Sequence, residues 1–308
     1  MRNVRWVLAA AWIVSGCSEP IAGADGSVRA DAAPSADGGP PEADAGSLPD
    51  TLGPSERPAQ LVVPSARDGA TPLPVVVLLH GYGASGAAQD LYFGLSRAAR
   101  SEGFYVIVPD GTVDAGGRRF WNATPACCDF AGTGVDDVAY LTSLLDELEA
   151  LTPISQIYFV GHSNGGFMSY RMACELADRV SAIVSLAGAD FASDTDCVPD
   201  RAVSVLQIHG DLDATIPYAG VAGAYPSASD GVARWAERAS CDLGASEAGE
   251  MLDLESALGG AETETLRYAA DCEGAEAELW TIRNGSHIPA LNRTFAPTVL
   301  AWLRDHAR

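Results

Sequence analysis

A doubly wound, mostly parallel α/β sheet held between two helical layers is the fold this sequence predicts, and three observations carry the prediction. Strand-like apolar runs alternate with stretches of helical spacing from Pro74 to the C-terminal region. Several runs are continuous rather than alternating, as in Pro74-Val75-Val76-Val77-Leu78-Leu79, which suits strands buried on both faces. A strand, a glycine-flanked turn and a helix then succeed one another between Gln156 and Leu176. In order, the pattern predicts a strand at Val75 to Leu79, a helix at Gln89 to Arg100 and a strand at Tyr105 to Val108. A helix at Asp137 to Leu148 follows, capped by Asp136 and Asp137 at its positive end, then a strand at Ile157 to Val160 and a helix at Phe167 to Leu176. Strands at Ala182 to Leu186 and Val203 to Ile208, a helix at Gly231 to Ser240, a strand at Glu278 to Ile282 and a helix from Ala296 complete the series. The roughly 250 residues involved suffice for one domain with a full core, and no internal repeat is present.

The turn is Gly161-His162-Ser163-Asn164-Gly165, directly after Gln156-Ile157-Tyr158-Phe159-Val160. This is the nucleophile-elbow pattern of an α/β hydrolase: small residues let the chain reverse sharply, the serine hydroxyl stands above the sheet edge, and the next amide faces a developing oxyanion. Serine needs a base, and the base needs a carboxylate. In this fold they follow in the order Ser, Asp or Glu, His. The loop His209-Gly210-Asp211-Leu212-Asp213 supplies two carboxylates after a strand, of which Asp213 is favoured over Asp211. The loop Arg283-Asn284-Gly285-Ser286-His287 supplies the base. Of the five histidines, His162, His80 and His209 sit where a histidine braces a loop, and His306 lies in a terminal helix, leaving His287. His80-Gly81-Tyr82-Gly83 after the first buried strand is the second oxyanion loop, so the amides of Tyr82 and Asn164 are the expected donors.

Taken with the Phe120-Trp121-Asn122 segment, Cys127-Cys128, Val135-Asp136-Asp137-Val138, Pro217-Tyr218 and Gly285-Ser286-His287, these motifs resemble the secreted polyhydroxybutyrate depolymerase and feruloyl esterase family of α/β hydrolases, from about Pro58 onward. The resemblance implies a serine esterase with Ser163, Asp213 and His287 as its triad. Members commonly have Gly-His-x-Trp-Pro around the base, whereas this chain has His287-Ile288-Pro289, so one pocket wall differs. Trp121, Tyr218 and Tyr82 are then the aromatic candidates for the cleft. Sequence proximity and the resemblance together pair Cys174 with Cys197 and Cys241 with Cys272, leaving Cys127 and Cys128 as a vicinal pair or free thiols.

Residues 1–17 carry a basic start, an apolar stretch too short to span a bilayer and Val14-Ser15-Gly16-Cys17, resembling a bacterial lipoprotein signal with Cys17 as the lipidated residue. An ordinary secretory signal is the alternative. Residues 18–57 are rich in Ala, Gly, Pro, Ser and Asp and are expected to form a disordered tether, leaving 58–308 as the hydrolase domain. The net charge of −22, with arginine as the sole cation type beside histidine, disfavours nucleic-acid partners and rules out a Schiff-base lysine. Acidity between Asp242 and Glu278 is expected to form a solvated face rather than a calcium loop. No C-x-x-C pair supports a zinc site, and acyl transfer by a serine triad calls for no metal and no cofactor. The sequence therefore predicts a monomeric, extracytoplasmic serine esterase, anchored to the membrane through Cys17 or secreted. Its substrate would be a polyhydroxyalkanoate-type polyester or feruloyl or acetyl esters of plant polysaccharide. A serine peptidase of the same fold, or a polymer-binding surface lipoprotein without catalysis, are the alternatives.

Overall fold

A computed structural model describes residues 46–308; the segment 1–17, Cys17 and the first part of the expected tether lie outside the described residues. In chain order the elements are β1 (Thr51–Leu52), β2 (Ala59–Val62), β3 (Leu73–Leu79), α1 (Gly86–Phe93), α2 (Leu95–Glu102), β4 (Tyr105–Val108), and the small pair β5 (Thr112–Val113) and β6 (Arg119–Phe120). Then follow α3 (Asp137–Leu151), β7 (Ile154–His162), α4 (Asn164–Glu175), β8 (Val180–Leu186), β9 (Ser204–Gly210), α5 (Ala228–Arg238), β10 (Glu247–Ala248), β11 (Thr263–Tyr268), β12 (Ala277–Ile282) and α6 (Phe295–Asp305).

One ten-stranded sheet runs in the order β1-β2-β4-β3-β7-β8-β9-β12-β11-β10. Its centre, from β4 to β12, is parallel, and two antiparallel strands flank it on either side. The parallel strands are those whose apolar runs are continuous, because helices cover both their faces. In β3, Val75, Val77 and Leu79 pack toward Leu141 and Leu144 of α3, whereas Val76 and Leu78 join Leu95 of α2 and Leu300 of α6 in the other core layer. Phe167 of α4 and Trp235 of α5 complete the first layer. The architecture is therefore three-layered and doubly wound. The strand order reverses at β3, which lies between β4 and β7, and the loops leaving β3 and β7 meet in the crevice such a reversal opens at the carboxyl ends of the strands.

Several expectations need correction. The helix expected at 89–100 is two helices, because Gly94 adopts a left-handed conformation (φ 67°) that ends α1 and opens α2. The tether does not extend to residue 57: Thr51–Leu52 pairs with β2, Leu52 is buried, and Arg57 reaches into the fold. The Arg57 guanidinium donates to Asp137 Oδ1 at 2.7 Å and to the Asp110 carbonyl at 2.7 Å, and stacks 3.7 Å over the Tyr140 ring. Asp136 is the cap of α3, accepting from the Ala139 amide, but Asp137 is not; it is buried, and its other oxygen accepts from the Asn122 amide. Burial pushes the Asp137 carboxyl up, with the Asn122 amide and Arg57 acting against it. The acidic stretch 242–278 is not merely a solvated face, since it contains β10 and β11 and the buried Glu255 and Glu262. Glu262 Oε1 accepts from the amides of Leu254 and Glu255 and from the Thr263 hydroxyl, so its charge folds a turn.

The cysteines pair as Cys174–Cys197, Cys241–Cys272 and Cys127–Cys128. No helix among the described residues is long and apolar enough to cross a membrane.

Candidate active site

Ser163 stands between β7 and α4 with φ 53° and ψ −119°, a backbone state a non-glycine residue occupies only when its surroundings force it. The forcing is local. A Cβ at Gly161 would strike the Gly165 carbonyl, and a Cβ at Gly165 would strike the Leu79 carbonyl of β3, so both positions flanking the serine admit only glycine. The Ser163 amide donates to the Leu186 carbonyl at 2.8 Å, which ties the elbow to β8.

Three loops deliver the other groups. His287 Nε2 lies 2.9 Å from Ser163 Oγ, and His287 Nδ1 lies 2.7 Å from Asp213 Oδ2. Asp213 follows β9, and its second oxygen accepts from the amides of Thr215 and Ile216, both at 2.8 Å. Burial acts to raise the Asp213 carboxyl, but hydrogen bonds from His209 and His287 and the Ile216 amide outweigh it and hold the group well below the usual carboxylate range. Asp211, the less favoured alternative, accepts from the Asn284 amide at 2.6 Å and pairs with Arg283 at 3.4 Å, so it secures the loop that carries His287.

The bracing histidines have definite tautomers. His209 Nδ1 accepts from the Gln207 side-chain amide at 2.9 Å, which leaves Nε2–H to donate to the Ile216 carbonyl at 2.8 Å, 3.3 Å from Asp213 Oδ2. His80 Nε2 accepts from the Gly111 amide and Nδ1–H donates to the Gly81 carbonyl, both at 2.8 Å. His162 Nε2–H donates to the carbonyl of His287 itself at 2.9 Å. Tyr92 donates to the Pro289 carbonyl at 2.7 Å, so the base loop is held at two of its carbonyls by groups from β7 and α1.

The two expected oxyanion amides lie on neighbouring strand ends. Asn164 opens α4, where first-turn amides have no partner within the helix. The loop of Tyr82 presses on the elbow, since a Cβ at Gly81 would sit 3.4 Å from Ser163 Cβ. One brace links the two: the Asn164 side chain accepts from the Trp121 amide at 2.7 Å and donates to the Trp121 carbonyl at 2.9 Å, while the indole of Trp121 donates to the His80 carbonyl at 3.0 Å.

Trp121 is therefore not a cleft residue. It is fully buried beneath the site, because its indole N–H and both its backbone groups are spent on the brace. Tyr218 is likewise turned away: its hydroxyl meets Thr281 Oγ1 at 2.9 Å and its ring lies edge-on to His209 at 5.6 Å, so it supports the Asp213 loop. The cleft above Ser163 and His287 holds about 350 Å³ and is walled by Tyr82, Ala84, Ala88, Gln89, Tyr92 and Ile288. Tyr82 is the one expected aromatic that borders it, fixed by donation to Asp114 at 2.7 Å and by edge contact with Phe130. The wall residues on α1 carry little sequence signal, since a Gln or Ala on an amphipathic helix reads as solvent-facing.

Among the described residues, Glu276, Glu278 and His306 alone bring metal-type ligand atoms within 4.8 Å of one another. Arg267 of β11 pairs with both carboxylates, which makes the group an ion-pair cluster between β11, the start of β12 and the residue that ends α6.

The parallel sheet, the strained serine at the β7–α4 turn and the histidine and carboxylate at later strand ends define an α/β-hydrolase fold. The α/β-hydrolase fold family model matches residues 74–207. A putative esterase, NocK, from Nocardia uniformis subsp. tsuyamanensis is 29% identical over 153 residues, 49% of this chain and 43% of that protein. Feruloyl esterase B from Piromyces equi is 28% identical over 162 residues, 51% of this chain and 29% of its own. The chain thus spans less than half the length of these two relatives. Among solved structures, the acetyl xylan esterase from Aspergillus awamori superposes with a TM-score of 0.58 over 85% of this chain and 97% of that one, at 16% identity, a likeness of fold.

Proposed function

We propose that the protein is a serine hydrolase of carboxylic esters, working through an acyl-enzyme. The observation that carries the reading is the unbroken hydrogen-bonded line from Ser163 Oγ through His287 to Asp213, set beside two loops able to offer amides. His287 Nε2 takes the Ser163 proton as Oγ attacks the ester carbonyl, and the Asp213 carboxylate stabilises the imidazolium that forms. The amides of Tyr82 and Asn164 hold the oxyanion, and His287 returns its proton to the leaving alcohol. Water, activated by the same histidine, then releases the acid. The cleft wall is uncharged, and the chain as a whole carries −22, so neutral acyl groups suit the site better than anionic ones. The curated relatives named as esterases support ester over amide chemistry. Substrates of the hydroxyalkanoate polyester type or feruloyl or acetyl esters of polysaccharide fall within this class. The deciding experiment is labelling of the purified protein with a fluorophosphonate, followed by p-nitrophenyl acetyl, 3-hydroxybutyryl and feruloyl esters. Folded protein that neither labels nor turns over any ester would sink the proposal.

We further infer an extracytoplasmic location, supported by the three disulfides, which persist in oxidising compartments. Lipidation at Cys17 rests on the Val14-Ser15-Gly16-Cys17 motif. Cys17→Ser is expected to move the enzyme from the membrane fraction to the soluble one and to abolish palmitate incorporation; unchanged partitioning would count against an anchor.

A further inference from the structure

We propose that His209 is a positioning residue for the triad: with its proton fixed on Nε2 by Gln207, it holds the Asp213 loop in the geometry that orients His287. The inference rests on the ester-hydrolase reading above and adds to it two residues that lie outside the cleft wall.

His209 acts on Asp213 in two ways. Its Nε2–H donates to the Ile216 carbonyl at 2.8 Å, and the Ile216 amide donates to Asp213 Oδ1 at 2.8 Å, so the imidazole grips the residue that grips the carboxylate. The same N–H lies 3.3 Å from Asp213 Oδ2, the oxygen that meets His287 Nδ1 at 2.7 Å. Its positive end favours the carboxylate there. With the proton on Nδ1 instead, the Nε2 lone pair would face two acceptors, the Ile216 carbonyl and Asp213 Oδ2, and both contacts would turn repulsive.

What fixes the proton lies further from the reaction. Gln207 and His209 are two residues apart on β9, so both side chains leave the same face of the sheet, the one that Tyr170 of α4 covers. The Gln207 side chain meets the Gly188 carbonyl at 2.9 Å. A carbonyl only accepts, so the NH₂ end lies there, and Oε1 accepts from the Tyr170 hydroxyl at 3.0 Å. The other hydrogen of that NH₂ group serves His209 Nδ1, 2.9 Å away, which is therefore the accepting nitrogen. Tyr170, Gln207 and His209 are each 1% exposed, so bulk water offers no substitute partner, and the wrong tautomer would leave a buried clash. Gly188 closes the path back to the elbow, since a Cβ there would strike Gly166, just after Ser163.

The test measures kcat and KM on p-nitrophenyl acetate for two replacements of similar length, with fluorophosphonate labelling of Ser163 alongside. His209→Met removes the donor and is expected to lower kcat by about tenfold or more, the scale of one hydrogen bond to a charged group, with KM nearly unchanged. His209→Gln can place an amide N–H where Nε2–H stood and should recover much of that loss. Gln207→Met should lower kcat in the chain that keeps His209 and add little in the chain that carries His209→Gln, because its effect runs through the imidazole. Nitrogen-15 spectra of histidine-labelled protein, with His209→Gln as the assignment control, should place the wild-type His209 proton on Nε2. A proton on Nδ1, equal loss in the Met and Gln variants while Ser163 still labels, or an equal cost of Gln207→Met in both chains overturns the proposal. Should His209→Met fail to fold, the wild-type spectrum and the Gln207→Met comparison decide it. Absence of labelling in folded wild type overturns the esterase reading instead, and the spectrum still reports on Gln207 and His209.

Discussion

Ser163→Ala is expected to abolish fluorophosphonate labelling and to lower kcat on p-nitrophenyl esters by roughly 10⁴–10⁶-fold, leaving the fold intact. Without Oγ the His287–Asp213 pair has nothing to deprotonate, and only the residual effect of binding and the oxyanion amides remains. The same position makes an opposite statement about stability. At φ 53° and ψ −119° the serine is strained, and glycine occupies that region freely. Ser163→Gly should therefore be equally inactive yet more stable, by about 1 kcal/mol, or some 2–4 °C in Tm for a domain of this size. Inactivity with raised stability is the signature of a residue kept for chemistry. Equal melting temperatures for wild type, Ala and Gly would mean that the elbow carries no strain. Asp213→Asn should cost about 10³–10⁴-fold in kcat by losing the acceptor that fixes the His287 tautomer. Asp211→Asn should cost far less, since Asp211 acts only through Asn284 and Arg283. The reverse order of severity would reassign the acid.

The strands that lead to these groups were legible because parallel strands covered on both faces write themselves as unbroken apolar runs. Val75 to Leu79, Ile157 to Val160 and Val203 to Ile208 all lie within the parallel centre of the sheet. The flanking strands were illegible for the converse reason. In β11, Thr263-Glu264-Thr265-Leu266-Arg267-Tyr268 is half-buried and mixes charges with apolar residues, so its exposed Glu264 and Arg267 masked a strand that pairs with β12 along its whole length. Arg57 was unreadable too, because an arginine closing a Pro- and Ser-rich stretch gives no hint of a buried carboxylate 80 residues on. At the site, the elbow and the later loops were legible since the turn and chain order constrain residue type. The walls were not. Trp121 and Tyr218 resembled pocket aromatics in sequence, and only packing reveals that one braces the Asn164 turn and the other the Asp213 loop.

Acid should unfold this protein earlier than its carboxylates alone would dictate, through His80 and His162. Both are buried and neutral, and burial pushes each down to about 4 from an ordinary 6.5. The hydrogen bonds explain why neither can readily accept a proton. His80 Nε2 already receives the Gly111 N–H, so a proton there would oppose another donor. His162 has its proton on Nε2, directed at the His287 carbonyl, and Nδ1 faces the tight approach of Gly81, where a Cβ would sit 3.1 Å away. In the unfolded chain both imidazoles take protons near pH 6.5, so between about pH 6.5 and 4 the unfolded state binds more protons and stability falls as pH falls. Each histidine then removes about 2 kcal/mol between pH 7 and pH 5. Asp190, whose carboxyl is raised by burial, works in the other direction and offsets part of the loss. Urea unfolding at pH 7, 6 and 5 should show stability dropping by roughly 3–4 kcal/mol in the wild type and by about half that in His162→Gln. Folded His162 stays neutral over this interval, so no second positive charge forms beside the His287 ring, 5.0 Å away, until the pH approaches 4. Stability that stays level from pH 7 to pH 5, or falls equally in His162→Gln, would show that these histidines do not stay neutral in the folded protein.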